Sequence, residues 1–147
     1  MNSTPAVRDG VVYAGTSDTH RFFALDAKTG RLLWNADAQA LIFGSPAVAG
    51  DQVYIGAFNG RLLVIDARSG KVAWSFATDG SKDDPLKLLD AAGGFDRSRM
   101  GRTFYNFLDM TVNLWRMFTV GAILSSPVID RGVLYVGSAD GCIYALR

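Results

Sequence analysis

The chain has 147 residues and a mass of 15.9 kDa, a single domain by length and enough to bury roughly 70% of its unfolded surface. With 49% hydrophobic and 20% charged residues it has ordinary globular composition, which excludes a disordered or collagen-like chain. A net charge of +1 offers no field to draw in nucleic acid or an anionic membrane surface, and one cysteine, Cys142, with one histidine, His20, excludes an intrachain disulfide and a Cys- or His-based zinc site.

Met1 to Ala6 carries no basic start and no apolar core of signal-peptide length, and no apolar run reaches the ~18 residues of a membrane span. From Ser3 the sequence repeats itself. Ser3-Thr4-Pro5-Ala6-Val7 returns as Gly44-Ser45-Pro46-Ala47-Val48 and as Ser125-Ser126-Pro127-Val128-Ile129. A second block follows each at fixed spacing: Asp9 to Gly15, Gly50 to Gly56 and Asp130 to Gly137. A third reads Phe22-Phe23-Ala24-Leu25-Asp26, Leu62-Leu63-Val64-Ile65-Asp66 and Cys142-Ile143-Tyr144-Ala145-Leu146. The first two copies end in Thr29-Gly30-Arg31-Leu32-Leu33-Trp34 and Ser69-Gly70-Lys71-Val72-Ala73-Trp74.

These short runs, rich in Val, Ile, Tyr and Phe and bounded by Gly, Asp and Asn, predict strands. Asn59-Gly60 and Asp140-Gly141 suit hairpin turns, and Asp26 to Gly30 and Asp66 to Gly70 suit Asx-type turns closed by glycine. Each unit is therefore expected to be a four-stranded antiparallel meander. Leu62 to Ile65 are apolar in succession, so both sheet faces seek burial. Sheets stacked between neighbours at a period of about 40 residues are the pattern of propeller blades.

Ala24-Leu25-Asp26-Ala27-Lys28-Thr29-Gly30-Arg31-Leu32-Leu33-Trp34 resembles the A-x-D-x-x-T-G-x-x-x-W tryptophan-docking motif of the pyrroloquinoline-quinone-like (quinoprotein-type) β-propeller repeat family. Val64 to Trp74 is similar, with Val64 for Ala and Ser69 for Thr, and Ala145 begins a third copy that stops at Arg147. The resemblance covers residues 3 to 79 and 119 to 147. It implies an all-β fold of four-stranded antiparallel blades, a partial propeller of about three blades. In it Trp34 and Trp74 wedge between adjacent blades while Asp26, Asp66, Thr29, Ser69, Gly30 and Gly70 shape the turns. It also implies a periplasmic or extracytoplasmic setting in the bacterial envelope.

The repeat fails between Gly80 and Arg116. The expected organisation is two blades over 1–79, an insertion over 80–118 and an incomplete third blade over 119–147. Phe104, Phe107, Leu108, Thr111, Leu114, Trp115 and Phe118 fall at helical intervals, with Tyr105, Asn106, Asp109, Asn113 and Arg116 on a more polar side, which predicts a helix over 102–118. A degenerate blade is the competing reading, because Trp115 follows Trp74 at about the repeat period. Phe104, Phe107, Trp115 and Phe118 either cap the blades or form an interaction face.

No catalytic or metal-binding set emerges. Asp79, Asp83 and Asp84 lack the spacing of a calcium loop, His20 beside Asp18 has no nucleophile, Cys142 reads as a small apolar core residue, and Met100, Met110 and Met117 read as packing against the blades. The expectation is a non-enzymatic scaffold or protein-binding module without cofactor, completed by a protein partner or by self-association. Two alternatives stand beside it: a fragment of a quinone-dependent dehydrogenase, which would need pyrroloquinoline quinone and calcium, and the sensor or ligand-binding domain of a larger signalling protein.

Overall fold

Three antiparallel sheets follow one another in the computed structural model, which describes residues 3–100 and 107–147. Strands β1 (Ala6–Arg8), β2 (Val11–Gly15), β3 (Arg21–Asp26) and β4 (Leu32–Asp37) pair in sequence order, and β5 (Ala47–Ala49), β6 (Gln52–Gly56), β7 (Arg61–Asp66) and β8 (Val72–Ala77) repeat the arrangement. Strands β9 (Val128–Asp130), β10 (Val133–Gly137) and β11 (Ile143–Leu146) form a third sheet of three. Between β8 and β9 lie α1 (Asp79–Asp83) and α2 (Phe107–Phe118). The register repeats with the sequence: Tyr13 pairs with Ala24, Tyr54 with Val64 and Tyr135 with Ala145.

Successive apolar residues along a strand serve two different cores, because neighbouring side chains leave opposite faces of a sheet. Leu63 and Ile65 of β7 join Tyr13, Phe22, Ala24 and Ile42 on one side. On the other side Leu62 packs with Ile123, Leu134 and Val136. Each blade thus has a leading face turned to the next blade and a trailing face turned to the previous one.

The close approach of blades depends on glycine. At Gly15 a Cβ would collide with the Ile42 side chain, and at Gly56 with that of Ile123. An isoleucine from the connection after each of the first two blades is seated directly on the backbone of the blade before it. At the inner strands the residues preceding proline pass a hydrogen bond from blade to blade: Thr4 N–H donates to Ser45 Oγ (2.9 Å), and Ser45 N–H donates to Ser126 Oγ (3.0 Å).

The turns after β3 and β7 explain the repeated Asp, Thr or Ser, and Gly. Asp26 Oδ1 accepts from Thr29 N–H and Thr29 Oγ1, both at 2.7 Å, and Asp66 Oδ1 accepts from Ser69 N–H and Oγ at the same distances. Gly30 and Gly70 close the turns at φ +71°, a conformation costly for other residues. Gly70 has a second reason to be glycine, since any Cβ there would enter the Trp34 ring.

Trp34 is turned toward that glycine by an irregularity in the β3–β4 register between Ala24 and Leu25, as a bulge re-aims a side chain. Its indole Nε1–H donates to Ala67 O at 2.9 Å, so the polar atom of a half-buried ring finds an acceptor on the neighbouring blade. Trp74 departs from the expected wedge. The same irregularity occurs opposite it, between Val64 and Ile65, yet Trp74 is 47% exposed and its ring neighbour is Phe76 of its own strand.

Truncating Trp34 to Ala is expected to cost about 3 kcal/mol, the lower range for a buried aromatic, whereas Trp74→Ala is expected to cost under about 1 kcal/mol. Equal losses in urea denaturation would remove the docking role of Trp34. The Thr29 hydroxyl and then its N–H hold the Asp26 carboxyl below the usual range, and Ser69 does the same for Asp66. The folded value lies below the unfolded one, so the contribution is complete above about pH 4 and is lost as pH falls through the folded values. The urea midpoint is expected to drop on that acid limb, and less steeply in the Asp26→Asn, Asp66→Asn double variant.

Candidate functional site

The antiparallel meanders sort the loops onto two ends of the blades. The turns carrying Asp26, Thr29, Gly30, Asp66, Ser69 and Gly70 lie beside the β1–β2 and β5–β6 turns, as the bonds from Ala27 N–H to Gly10 O and from Ala67 N–H to Asp51 O record, each 2.8 Å. That end is structural. The opposite end carries the β2–β3, β6–β7 and β10–β11 hairpins and the connections between blades, and there the long segment between β8 and β9 is laid down.

Where that segment departs and returns can be fixed by equivalent hydrogen bonds. Ala38 N–H donates to His20 O and Thr78 N–H to Gly60 O; Ile42 N–H donates to Thr16 O and Ile123 N–H to Ala57 O. The first connection closes through a few residues, while the second runs from Asp79 to Ala122 between the same two anchor points. Buried Thr78 is the stem: its Oγ1 donates to Gly121 O (3.2 Å) and accepts from Ser81 N–H (3.2 Å), capping α1. The segment is a helical insertion closed at its base.

The insertion is bonded to two blades. Asn59 Nδ2 of the second blade donates to Gly93 O at 2.8 Å. On the third blade, Asp140 Oδ2 accepts from Tyr144 Oη (2.6 Å) and from Gly80 N–H (3.3 Å), and Asp79 N–H donates to Tyr144 Oη (2.8 Å). Burial pushes the Asp140 carboxyl up, but the Tyr144 hydroxyl and the surrounding donors outweigh it and hold the group below its ordinary value. Burial, reinforced by the bond to Asp140, raises the Tyr144 hydroxyl. Beneath these contacts a separate core gathers Ala57, Phe58, Leu88, Met100, Met117 and Val120.

Of the two readings of the α2 aromatics, Phe107 (79% exposed) and Trp115 (65% exposed) follow the interaction face, outward with Leu108 and Val112, while Asn113, expected on the more polar side, is buried with Met117. The C-terminal end of α2 decides this orientation. Phe118 stacks on Phe58 at 5.5 Å, and the Arg116 guanidinium donates to Arg99 O at 2.9 Å, so the face bearing residues 113 and 117 is drawn down. Phe118 is thereby separated from Phe107 and Trp115, and Phe104 lies outside the described residues. Met110 is also exposed rather than packed.

Between the insertion and the first blade opens a cleft of about 740 Å³, whose polar lining is Ser17, His20, Asp37, Gln39, Asp90 and Arg97. His20 takes φ +57° at the position held by Gly60 and Gly141 in the other blades. Gln39, also at positive φ, donates its N–H to Asp37 Oδ1 (2.8 Å), and Asp90 Oδ1 accepts from Ala92 N–H (2.8 Å) and Gly94 N–H (2.9 Å). The carboxylates are thus largely committed to shaping their own turns. His20, Asp37 and Asp90 lie far apart in the sequence, and only the insertion's path brings them to one cleft. Cys142, expected in the core, is exposed at the start of β11. Asp79 pairs with Lys82 at 2.9 Å, Asp84 accepts from Leu88 and Leu89 N–H, and among the described residues no three His, Cys, Asp or Glu side chains are grouped to hold a metal.

Comparison with known proteins follows the repeat. The family model described as outer membrane protein assembly factor BamB matches residues 1–93. The quinohemoprotein alcohol dehydrogenase ADH-IIG of Pseudomonas putida is 37% identical over 155 residues, covering 90% of this chain and 21% of its own length. Quinohemoprotein alcohol dehydrogenase ADH IIB of the same organism is 34% identical over 104 residues, covering 63% of this chain and 14% of its own. The chain therefore spans a small part of the curated relatives it matches. The crystal structure of BamB from Moraxella catarrhalis superposes with a TM-score of 0.62 at 20% identity, over 99% of this chain and 33% of that one, and shares the blade architecture. With its repeats, its docked tryptophan and these matches, the chain belongs to the pyrroloquinoline-quinone-like β-propeller repeat family.

Proposed function

We propose that this chain is a non-enzymatic propeller module of the bacterial envelope, whose rigid blades present the insertion end to a protein partner. The observation that carries this reading is the outward apolar face of α2. Phe107, Leu108, Val112 and Trp115 stand exposed on a helix anchored through its opposite face, and exposed aromatic patches of this kind mark interaction sites on soluble proteins. The blades act by shape. Their docked tryptophan and seated isoleucines hold the loops in place, and the insertion is tied down at Thr78, Asn59 and Asp140. An extracytoplasmic location fits the family description and requires no membrane span; among the described residues no helix is long and apolar enough for one.

A second reading has its own support. The relative ADH-IIG is aligned over 90% of this chain, a span that includes residues of the insertion as well as of the blades, as expected if these residues were part of a dehydrogenase propeller. On that reading the quinone and a calcium ion would be held by groups drawn partly from other blades.

Titration of the purified chain with pyrroloquinoline quinone and Ca²⁺ separates the two. The module is expected to show no saturable change in quinone absorbance; a saturable change, abolished by chelating Ca²⁺, would favour the dehydrogenase reading. For the cleft, His20→Gly is expected to stabilise the fold by roughly 0.5–1 kcal/mol, since the residue sits in a left-handed conformation that glycine adopts without the Cβ penalty. A loss of stability in urea denaturation would mean that the imidazole makes a contact worth more than its strain.

A further inference from the structure

The end that carries the Asx turns also holds a cavity, of about 500 Å³, in the seam between the first two blades. Small-molecule sites have volumes of the same order, about 300–1,000 Å³. The first blade contributes Val11, Tyr13 and Trp34 to the walls, and the second contributes Val48, Asp51 and Arg68. The cavity is formed by a blade contact that the chain makes within itself.

Comparison of the two blades shows what is unusual at this seam. Tyr13 and Tyr54 hold the same position, opposite Ala24 and Val64. Two residues earlier, on the same face of the sheet, β6 begins with Gln52, and Tyr54 Oη donates to Gln52 Oε1 at 2.7 Å. Strand β2 begins instead with Val11, whose side chain has no acceptor. Tyr13 is 4% exposed, yet its hydroxyl has no hydrogen-bond partner among the described residues. Nor is that hydroxyl sealed: among the described residues Ser3 Oγ alone is both unpartnered and closed off from solvent, so Tyr13 Oη opens onto the cavity that Tyr13 lines. Burial and then the Asp9 carboxylate raise the phenol against the opposing effect of Arg8, which keeps it protonated and able to donate at neutral pH. A buried donor without an acceptor carries the full cost of its desolvation. The charges around the cavity divide likewise into committed and uncommitted groups. Arg8 pairs with Asp9 at 3.4 Å and donates to Val48 O at 3.2 Å. Asp51 and Arg68 stand on adjacent turns, joined by the bond from Ala67 N–H to Asp51 O, and among the described residues neither side chain makes a hydrogen bond or an ion pair. The Asp66 carboxyl, which Arg68 helps to hold low, is occupied by the Ser69 donors.

We propose that this seam binds a zwitterionic ligand with an apolar body, of the class of free α-amino acids with apolar side chains. The ligand's carboxylate would accept from Tyr13 Oη and face Arg68, its ammonium would face Asp51, and its side chain would lie against Val11, Trp34 and Val48. An anion alone would leave Asp51 unanswered beside it, and a cation alone would leave Tyr13 and Arg68 so, whereas opposite charges on one molecule answer all three. Hydrogen bonds to such ionised groups are stronger than neutral ones. The site lies at the opposite end of the blades from the insertion and does not rest on the module reading.

The test is isothermal titration of the purified chain with L-phenylalanine and with its two half-analogues, phenethylamine, which lacks the carboxylate, and hydrocinnamate, which lacks the ammonium. L-Phenylalanine is expected to bind saturably, and each analogue about tenfold more weakly or worse. Tyr13→Phe removes the hydroxyl and keeps the ring. It is expected to retain the wild-type melting temperature, because the hydroxyl has no bond to lose, while binding weakens about tenfold. Val11→Gln copies the second blade: the new amide would accept from Tyr13 Oη as Gln52 accepts from Tyr54, so the melting temperature is expected to rise and binding to fall. No saturable heat with L-phenylalanine, or analogues that bind as well as it does, would overturn the proposal. So would a Tyr13→Phe chain that melts well below the wild type, since the hydroxyl would then be served by an ordered water in the free protein.

Discussion

The architecture depends on neighbouring sheets approaching closely enough to bury the middle blade on both faces. That approach is a matter of single atoms. Gly15 and Gly56 lack the Cβ that would strike Ile42 and Ile123, and the isoleucines fill the space so created in a core with little room for adjustment. Apolar side chains then alternate between two cores along β7, with Leu63 and Ile65 in one and Leu62 in the other. A sheet of this kind has no wet face, which is why its strands are apolar in succession and why its stability depends on neighbours.

Three contacts make up this packing at different positions across the sheets. Hydroxyls before proline link the inner strands, the isoleucine on glycine occupies the middle, and Trp34 spans the outer strand to reach Ala67 O. The turn that receives Trp34 is rigid because Asp66 accepts from Ser69 twice and Gly70 closes it in a left-handed conformation. These are local, short-range devices, and they recur because the sequence recurs.

The ends of the blades divide the labour. One end holds the Asx turns and the docking tryptophan, where substitution would loosen blade packing. The other receives an insertion with a core of its own, built on Phe58, Leu88, Met117 and Val120, and that end displays the helix face and the cleft. Such a division lets loop sequence change while the scaffold is kept, as is usual where a rigid framework positions variable segments.

The strands, their order within each sheet and the Asp-x-x-Thr/Ser-Gly turns were legible in the sequence, because they follow from short-range periodicity and turn chemistry repeated in register. So was the break after the second blade. The orientation of α2 was left open: an apolar stripe of Phe107, Leu108 and Trp115 reads either as a cap on the blades or as an interaction face, and it is the anchoring of Phe118 on Phe58 and Arg116 on Arg99 O that turns it outward. The contrast between Trp34 and Trp74 was equally hidden, since two near-identical motifs differ only in what the neighbouring blade offers them. The cleft that joins His20, Asp37 and Asp90 requires residues far apart in sequence to meet through the path of the insertion. Local pattern determined the blades; which of their surfaces are covered was decided by contacts between blades, and those depend on partners that no single repeat contains.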